Sequence, residues 1–273
     1  MGTKTMKFLV SLLACGFLFT ANLGIAKAPF EYVWGAAHHV LPETHSDESG
    51  YFSLCEGNDG RIYVGTAKYG ENAYLVEFDP VTQKQRIVVD AHKLCGLTAK
   101  GLAAQAKFHT RNYVGPSGVI YVGTKQGYAK KGDESEYPGG YLITYDPRND
   151  TAHNLGMPYK KQGIADVVAD ESRGLIYVVT CEDQHWMLYD FATKKFTELG
   201  PMLTPYATTL MDAEGKAHAL TKDFQLATYD PATKKVTQRP IEIGGKAFTR
   251  ANGSAIPTWN LDADGRTAWL ILM

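Results

Sequence analysis

One short pattern recurs along this chain: a Gly turn, then an aromatic and β-branched run that ends in Thr. It reads GRIYVGT (60–66), GVIYVGT (118–124), GLIYVVT (174–180), GKAHALT (215–221) and, more loosely, GRTAWLI (265–271). A second pattern follows each of the first four: LVEFDPVTQK (75–84), LITYDPRNDT (142–151), MLYDFATKK (187–195) and LATYDPATKK (226–235). Tyr or Phe precedes Asp79, Asp146, Asp190 and Asp230, at spacings of 67, 44 and 40 residues. A sequence that repeats itself at this interval is a stack of similar supersecondary units, each burying its faces on its neighbours.

Each unit has a physical reading. A first strand ends at NDG (58–60), PSG (116–118), ESRG (171–174), DAEG (212–215) or DADG (262–265), where Gly supplies the positive φ of a tight hairpin. The IYVGT run, β-branched and aromatic, is a second strand. A third strand ends at aromatic-Asp-Pro, where Pro fixes φ and the Asp side chain caps the following turn. ATKK completes that turn, and a fourth strand such as KFTELG follows. Helical periodicity is not apparent, which disfavours a parallel α/β fold. Four antiparallel strands every ~40–45 residues is the period of a β-propeller blade. The expectation is an all-β propeller with four complete blades (about 50–95, 107–156, 163–200 and 206–243) and a partial fifth (256–273). The chain stops at TAWLILM, within a strand. That ending predicts a piece of a six- to eight-bladed ring; the alternative is a small closed ring in which residues 30–45 pair with the last strands.

The YVGT and Y-x-DP-x-T patterns resemble secreted bacterial propellers of the YVTN, NHL and WD40-like group over roughly 50–273. The resemblance is specific for fold and weak for function, because that group holds lyases, lactonases, dehydrogenases and pure binding scaffolds. Its oligogalacturonate and streptogramin lyases imply a divalent metal and a His base. This chain lacks a full set of metal-binding His across successive blades, so a divalent metal cofactor is possible but not specified.

The first residues read as an export signal over 1–26. Lys4 and Lys7 precede an apolar run from Phe8 to Gly24, and Gly24-Ile25-Ala26 has the small-x-small form of a cleavage site. The propeller domain then covers 27–273, exported to a periplasmic or extracellular space with no stable membrane span after cleavage. An uncleaved anchor helix and lipidation at Cys15 are the alternatives. Export implies an oxidising compartment, so Cys55 and Cys95 could pair, while Cys55, Cys95 and Cys181 read equally as small buried hydrophobes. With 28 basic and 29 acidic side chains the net charge is −1, which gives no general attraction to nucleic acid or anionic membrane. No G-x-S-x-G, G-x-G-x-x-G, P-loop or C-x-x-C occurs. ANGS (251–254) is a glycosylation acceptor only in a eukaryotic secretory route.

In a propeller, the loops joining strands two and three share one face with the segments that lead into each blade, and ligands bind there. Lys68, Lys125, Glu182, His185 and Lys222 follow the YVGT-type strands at equivalent positions. Lys107, His109 and Arg111 lie in KFHTR (107–111), which leads into the second blade. Together they predict a cationic ring suited to a carboxylate or other anion. The loop KQGYAKKGDESEYPGG (125–140) is much longer than its counterparts; Tyr128 and Tyr137 could stack on a sugar ring, or the insertion could be a solvated excursion. His109 is the candidate general base or metal ligand, or else a hydrogen-bonded channel histidine. His38, His39, His45, Asp47 and Glu48 have a metal-binding composition but no specific spacing.

Three functions fit. One is an enzyme, a lyase or hydrolase acting on an acidic carbohydrate or lactone, with His109 as base and Arg111, Lys125 and Lys68 holding the carboxylate. The second is a non-catalytic scaffold that binds a glycan or protein partner through Tyr128 and Tyr137. The third is a structural repeat module in a larger chain. The balance lies with a small anionic or carbohydrate ligand at the axial face.

Overall fold

The computed structural model describes residues 35–44, 47–48, 53–129, 131–248 and 257–272. Every strand among the described residues lies within the unit that spans 39–273. The expected export signal, Cys15, His45, Lys130 and the 251–254 acceptor lie outside the described residues. No helix among the described residues is long and apolar enough to cross a membrane.

The fold is all-β. Strands β1 (Leu54–Glu56), β2 (Ile62–Gly65), β3 (Tyr74–Asp79) and β4 (Lys84–Asp90) form an antiparallel sheet in sequence order. The second sheet contains β5 (Lys107–Phe108), β6 (Tyr113–Val114), β7 (Ile120–Lys125), β8 (Leu142–Asp146) and β9 (Thr151–Gly156), with β5 and β6 both paired to β7. The third runs β10 (Gly163–Asp170), β11 (Leu175–Cys181), β12 (Trp186–Asp190), β13 (Lys195–Glu198). The fourth runs β14 (Leu210–Met211), β15 (Ala217–Leu220), β16 (Gln225–Asp230), β17 (Lys235–Pro240). These are four propeller blades. A hairpin, β18 (Glu242–Ile243) and β19 (Lys246–Ala247), follows, with Gly244 and Gly245 at φ 59° and 74° as a two-residue hairpin turn of this kind requires. The partial fifth blade is the pair β20 (Pro257–Leu261) and β21 (Ala268–Leu272).

Two repeated side chains hold each blade in register. The Asp of the aromatic-Asp motif caps its turn: Asp190 accepts from the amides of Ala192 (2.7 Å) and Thr193 (3.3 Å), and Asp230 from those of Ala232 (2.8 Å) and Thr233 (3.4 Å). The Thr that closes each IYVGT run acts as a clamp. Its hydroxyl accepts the amide of the residue across the loop, and its own amide donates to that residue's carbonyl. The partners are Tyr74 for Thr66, Tyr141 for Thr124, His185 for Thr180 and Gln225 for Thr221. The clamped loops differ greatly in length: 67–73, 125–140, 181–184 and 222–224.

Neighbouring blades meet through aromatic and close-packed seams. Tyr63 packs on Tyr145 of the next blade at 5.8 Å between ring centroids, and Tyr177 on Tyr229 likewise at 5.8 Å. His218 stands in the fourth repeat where Tyr63, Tyr121 and Tyr177 stand in the others. It bonds Asp212 and Thr228, much as Tyr63 bonds Asp59. The Gly of YVGT is a seam position. A Cβ on Gly123 would come within 2.5 Å of Ile164 Cβ on the next blade. Gly123→Val is therefore expected to cost about 1–3 kcal/mol in a denaturant melt; an unchanged midpoint would show that the seam is slack.

The structure differs from the sequence reading in two places. The first strand of the second blade is broken between β5 and β6, because its side chains bond outward to other blades. Ser53 donates to Asn112 (2.8 Å), and the Arg111 guanidinium pairs bidentately with Asp166 (2.9 and 3.0 Å). Thr110 Oγ1 takes the Gly123 amide in place of a backbone carbonyl. The second difference is a short helix, Ala91–Cys95. Asp90 caps it by accepting from Lys93 N, and Gly96 ends it at φ 67°. Cys55, Cys95 and Cys181 are free thiols, so the Cys55–Cys95 pairing is not present. Cys55 and Cys95 pack on the first hydrophobic core.

Candidate functional site

The IYVGT strands of blades two and three end beside one another at the mouth of a cavity of about 460 Å³. Its walls are Lys107 and His109 from the segment that leads into blade two, Lys125 from the end of β7, Tyr128 from the loop after it, and Ala165 from β10. Cys181 comes from the end of β11, Glu182 and Gln184 from the β11–β12 loop, and Pro205 and Tyr206 from the segment leading into blade four.

Lys107 and Lys125 are directly paired residues of β5 and β7, so their side chains leave one face of the sheet side by side. Lys107 is 3% exposed and lies over the Tyr69 and Tyr128 rings, 5.1 and 5.7 Å from their centroids. Burial and then the Lys125 charge hold its pKa below the ordinary lysine value. Lys125 moves the other way. Burial works against its charge, but Cys181 and the Glu182 carboxylate, 2.7 Å from Nζ, outweigh it and raise its pKa. Two adjacent lysines thus differ in their hold on a proton.

Glu182 also accepts the Gly163 amide at 3.2 Å. Its backbone has φ +84°, and Gln184 has φ +53°, left-handed conformations that non-Gly residues adopt only where neighbours enforce them. The enforcement is visible: Gln162 and Asp183 exchange two hydrogen bonds of 2.8 Å, and Gln184 Nε2 donates to the Glu182 carbonyl at 2.7 Å. Burial pushes the Cys181 thiol up to about 12, so it stays protonated and unreactive. Burial, with Lys125 and Lys107 nearby, pushes His109 down to about 3. Its Nδ1 lies 3.3 Å from the Ile164 carbonyl, which can only accept, so Nδ1 carries the proton. His109 is a neutral imidazole and a weak proton acceptor at neutral pH.

The long loop is anchored. The Asp133 carboxylate accepts the Leu102 amide (2.6 Å), Ser135 Oγ accepts that of Ala103 (3.2 Å), and Gln105 Nε2 donates to the Gly139 carbonyl (2.9 Å). Tyr137 is 6% exposed and donates to Gln105 Oε1 at 3.2 Å, so it belongs to the loop's anchorage. Tyr128, 71% exposed, and Tyr206, 59% exposed, stand at the cavity wall.

Of the ten residues expected at the site, the cavity gathers Lys107, His109, Lys125, Tyr128 and Glu182. The others stand outside this cavity. Lys68 pairs with Asp47 at 3.0 Å. Arg111 is held by Asp166 and lines a separate, more apolar cleft with Val167, Leu210 and Leu261. His185 donates from Nδ1 to Glu198 (2.6 Å) and stacks on Tyr159. Lys222 is exposed outside the cavity lining. The sequence reading missed Gln184, Pro205 and Tyr206. The repeat alignment held a signal for Tyr206, since TPYATT leads into blade four as KFHTR leads into blade two. Among the described residues no three His, Cys, Asp or Glu side chains converge as a metal site. Asp47 and Glu48 bond Lys68 and the Tyr69 amide instead.

No family model matches the chain, and no curated protein sequence matches it. Solved structures similar to the chain include three of low sequence identity. The extracellular domain described as that of a one-component system from B. thetaiotaomicron is 16% identical, with a TM-score of 0.49 over 80% of this chain and 25% of that one. An auxiliary nutrient binding protein from Bacteroides ovatus is 12% identical, with a TM-score of 0.47 over 80% of this chain and 52% of that one. A protein described as a gluconolactonase is 15% identical, with a TM-score of 0.42 over 68% of this chain and 61% of that one. The chain spans a quarter of the first structure's length and about half of the second's.

Proposed function

We propose that this chain is an exported propeller that binds a small carboxylate-bearing ligand, such as an acidic sugar, in the cavity between blades two, three and four. The observation that supports this is the pair Lys107 and Lys125. Like charges directly opposite on a sheet are destabilising, and burying them adds a desolvation cost. Among the described residues that line the cavity, two lysines stand beside one carboxylate, Glu182, with Glu48 also bearing on Lys107, an arrangement suited to an anion. Tyr128 and Tyr206 supply aromatic walls for the body of a ring, and Gln184 and neutral His109 supply uncharged hydrogen-bonding groups. In this reading His109 orients the ligand and is not a general base, so lyase or hydrolase chemistry is not assigned to it.

The test is calorimetric titration with galacturonate and glucuronate beside galactose and glucose. Uronates are expected to bind at least about tenfold more tightly than the neutral sugars, because a charge-assisted hydrogen bond contributes about 1.5–3 kcal/mol. The preference should shrink as salt is raised. Equal affinity for charged and neutral sugars would sink the proposal. Binding confined to proteins would favour the scaffold reading, with Tyr128 as a rim contact.

A further inference from the structure

Resting on the reading of this cavity as a ligand site, we infer that Lys107 is a nucleophile that forms an imine with a small oxo acid, a carbonyl compound that also carries a carboxylate. Lys107 and Lys125 are cross-strand partners on β5 and β7, and both line the same cavity. Lys107 is at the wall with 3% exposure, between β5 and the rings of Tyr69 and Tyr128. Lys125 is tied to Glu182 at 2.7 Å and keeps its charge.

The proton affinities then divide the work. Two titratable neighbours whose environments push them apart are the arrangement that separates nucleophile from acid. Burial and the adjacent ammonium lower Lys107, which raises the fraction of free amine. Lys125 is raised and serves as the standing acid. The groups that bear on Lys107 are Lys125 on β7, Cys181 at the end of β11, Glu182 from the loop after it, and Glu48. Cys181 is a protonated thiol and His109 a neutral ring, so neither competes with Lys125 as the cation of the site.

The step balances without a co-reactant. The Lys107 Nζ lone pair forms a bond to the carbonyl carbon, and the C=O π pair moves to oxygen. That oxygen takes a proton from Lys125, and Nζ releases one to Lys125 or solvent, giving a carbinolamine. Lys125 then protonates the hydroxyl, the C–O bond breaks as the nitrogen lone pair forms C=N, and water leaves. The iminium returns its N–H proton to Lys125 or solvent, leaving the imine. The sum is amine plus carbonyl going to imine plus water. Attraction to the Lys125 charge favours an oxo acid over a neutral aldehyde.

The probe is pyruvate with sodium cyanoborohydride, which reduces the imine to a stable secondary amine; the adduct is located by peptide mass spectrometry. The expected result is one dominant adduct on Lys107 that is lost in Lys107→Met and at least tenfold weaker in Lys125→Met. Lys107→Arg keeps the cation but cannot form the imine, so it should bind pyruvate in calorimetry and give no adduct. No adduct at Lys107, or equal labelling of surface lysines in wild type and Lys107→Met, overturns the inference. Calorimetry without reductant separates the two readings. Pyruvate that binds without forming the adduct removes only the imine, whereas neither pyruvate nor uronate binding removes the anion site as well. Thermal melts of each variant identify any that fails to fold.

Discussion

Replacing Arg111 by Met is expected to lower stability at pH 7 by about 3 kcal/mol, the lower end for breaking a buried ion pair, because the Arg111 side chain is 34% exposed. Asp166 is fully buried and loses its bidentate partner, keeping the Thr209 amide at 2.8 Å. Arg111 also reaches Asn260 at 3.2 Å, so the substitution loosens the contact with the partial fifth blade. The pH dependence has a definite sign. Burial already raises the Asp166 carboxyl in the folded protein, and Arg111 opposes that rise. Without Arg111 the folded-state pKa moves further above the unfolded value, so the folded variant binds the proton more tightly. Its stability then falls as pH rises through that pKa and is recovered as pH drops. Urea melts of both proteins from pH 7 toward pH 4 should show the deficit narrowing. A constant deficit would show that Arg111 acts by packing alone.

The second large effect concerns Lys125. Lys125→Met is expected to weaken uronate binding roughly 10- to 100-fold while leaving the melting temperature close to wild type, since a charge-assisted contact contributes about 1.5–3 kcal/mol. Two consequences combine. The cation that faces the ligand is gone, and Glu182 is left at the cavity as an unneutralised carboxylate that repels an anion. The double variant Lys125→Met with Glu182→Gln removes that repulsion and should recover part of the loss. If Lys125→Met binds uronate as the wild type does, the cavity is not the anion site.

The repeat was legible because its local chemistry is self-contained. The Gly turns at 60, 118, 174, 215 and 265 all take positive φ, and the motif Asp residues cap turns within three residues of themselves. Such features need no knowledge of the neighbouring blade. The broken strand at 109–112 was not legible, because its hydrogen bonds go to Asp166 and Ser53, each more than 50 residues away. The site divided along the same line. Repeat alignment places equivalent Cα atoms on one face but not the direction of a flexible side chain. Lys68 and Lys222 share a loop position with Lys125, yet Lys68 reaches Asp47 and Lys222 points to solvent. Lys125 is turned inward by Glu182, which a two-blade contact alone reveals.

The threonine clamps carry a consequence for how such a protein changes over time. Each clamp makes two short hydrogen bonds between strand ends, whatever chain lies between them. Loop length is thereby uncoupled from sheet register, and closing a longer loop adds only a slowly growing entropy. An insertion at one clamp can be tried and discarded without disturbing the blade that carries it. The stretch 125–140, which brings Tyr128 to the cavity, is the longest of the clamped loops, while the loop at 222–224 makes the shortest crossing. Recognition can therefore diversify one blade at a time over an architecture that stays the same.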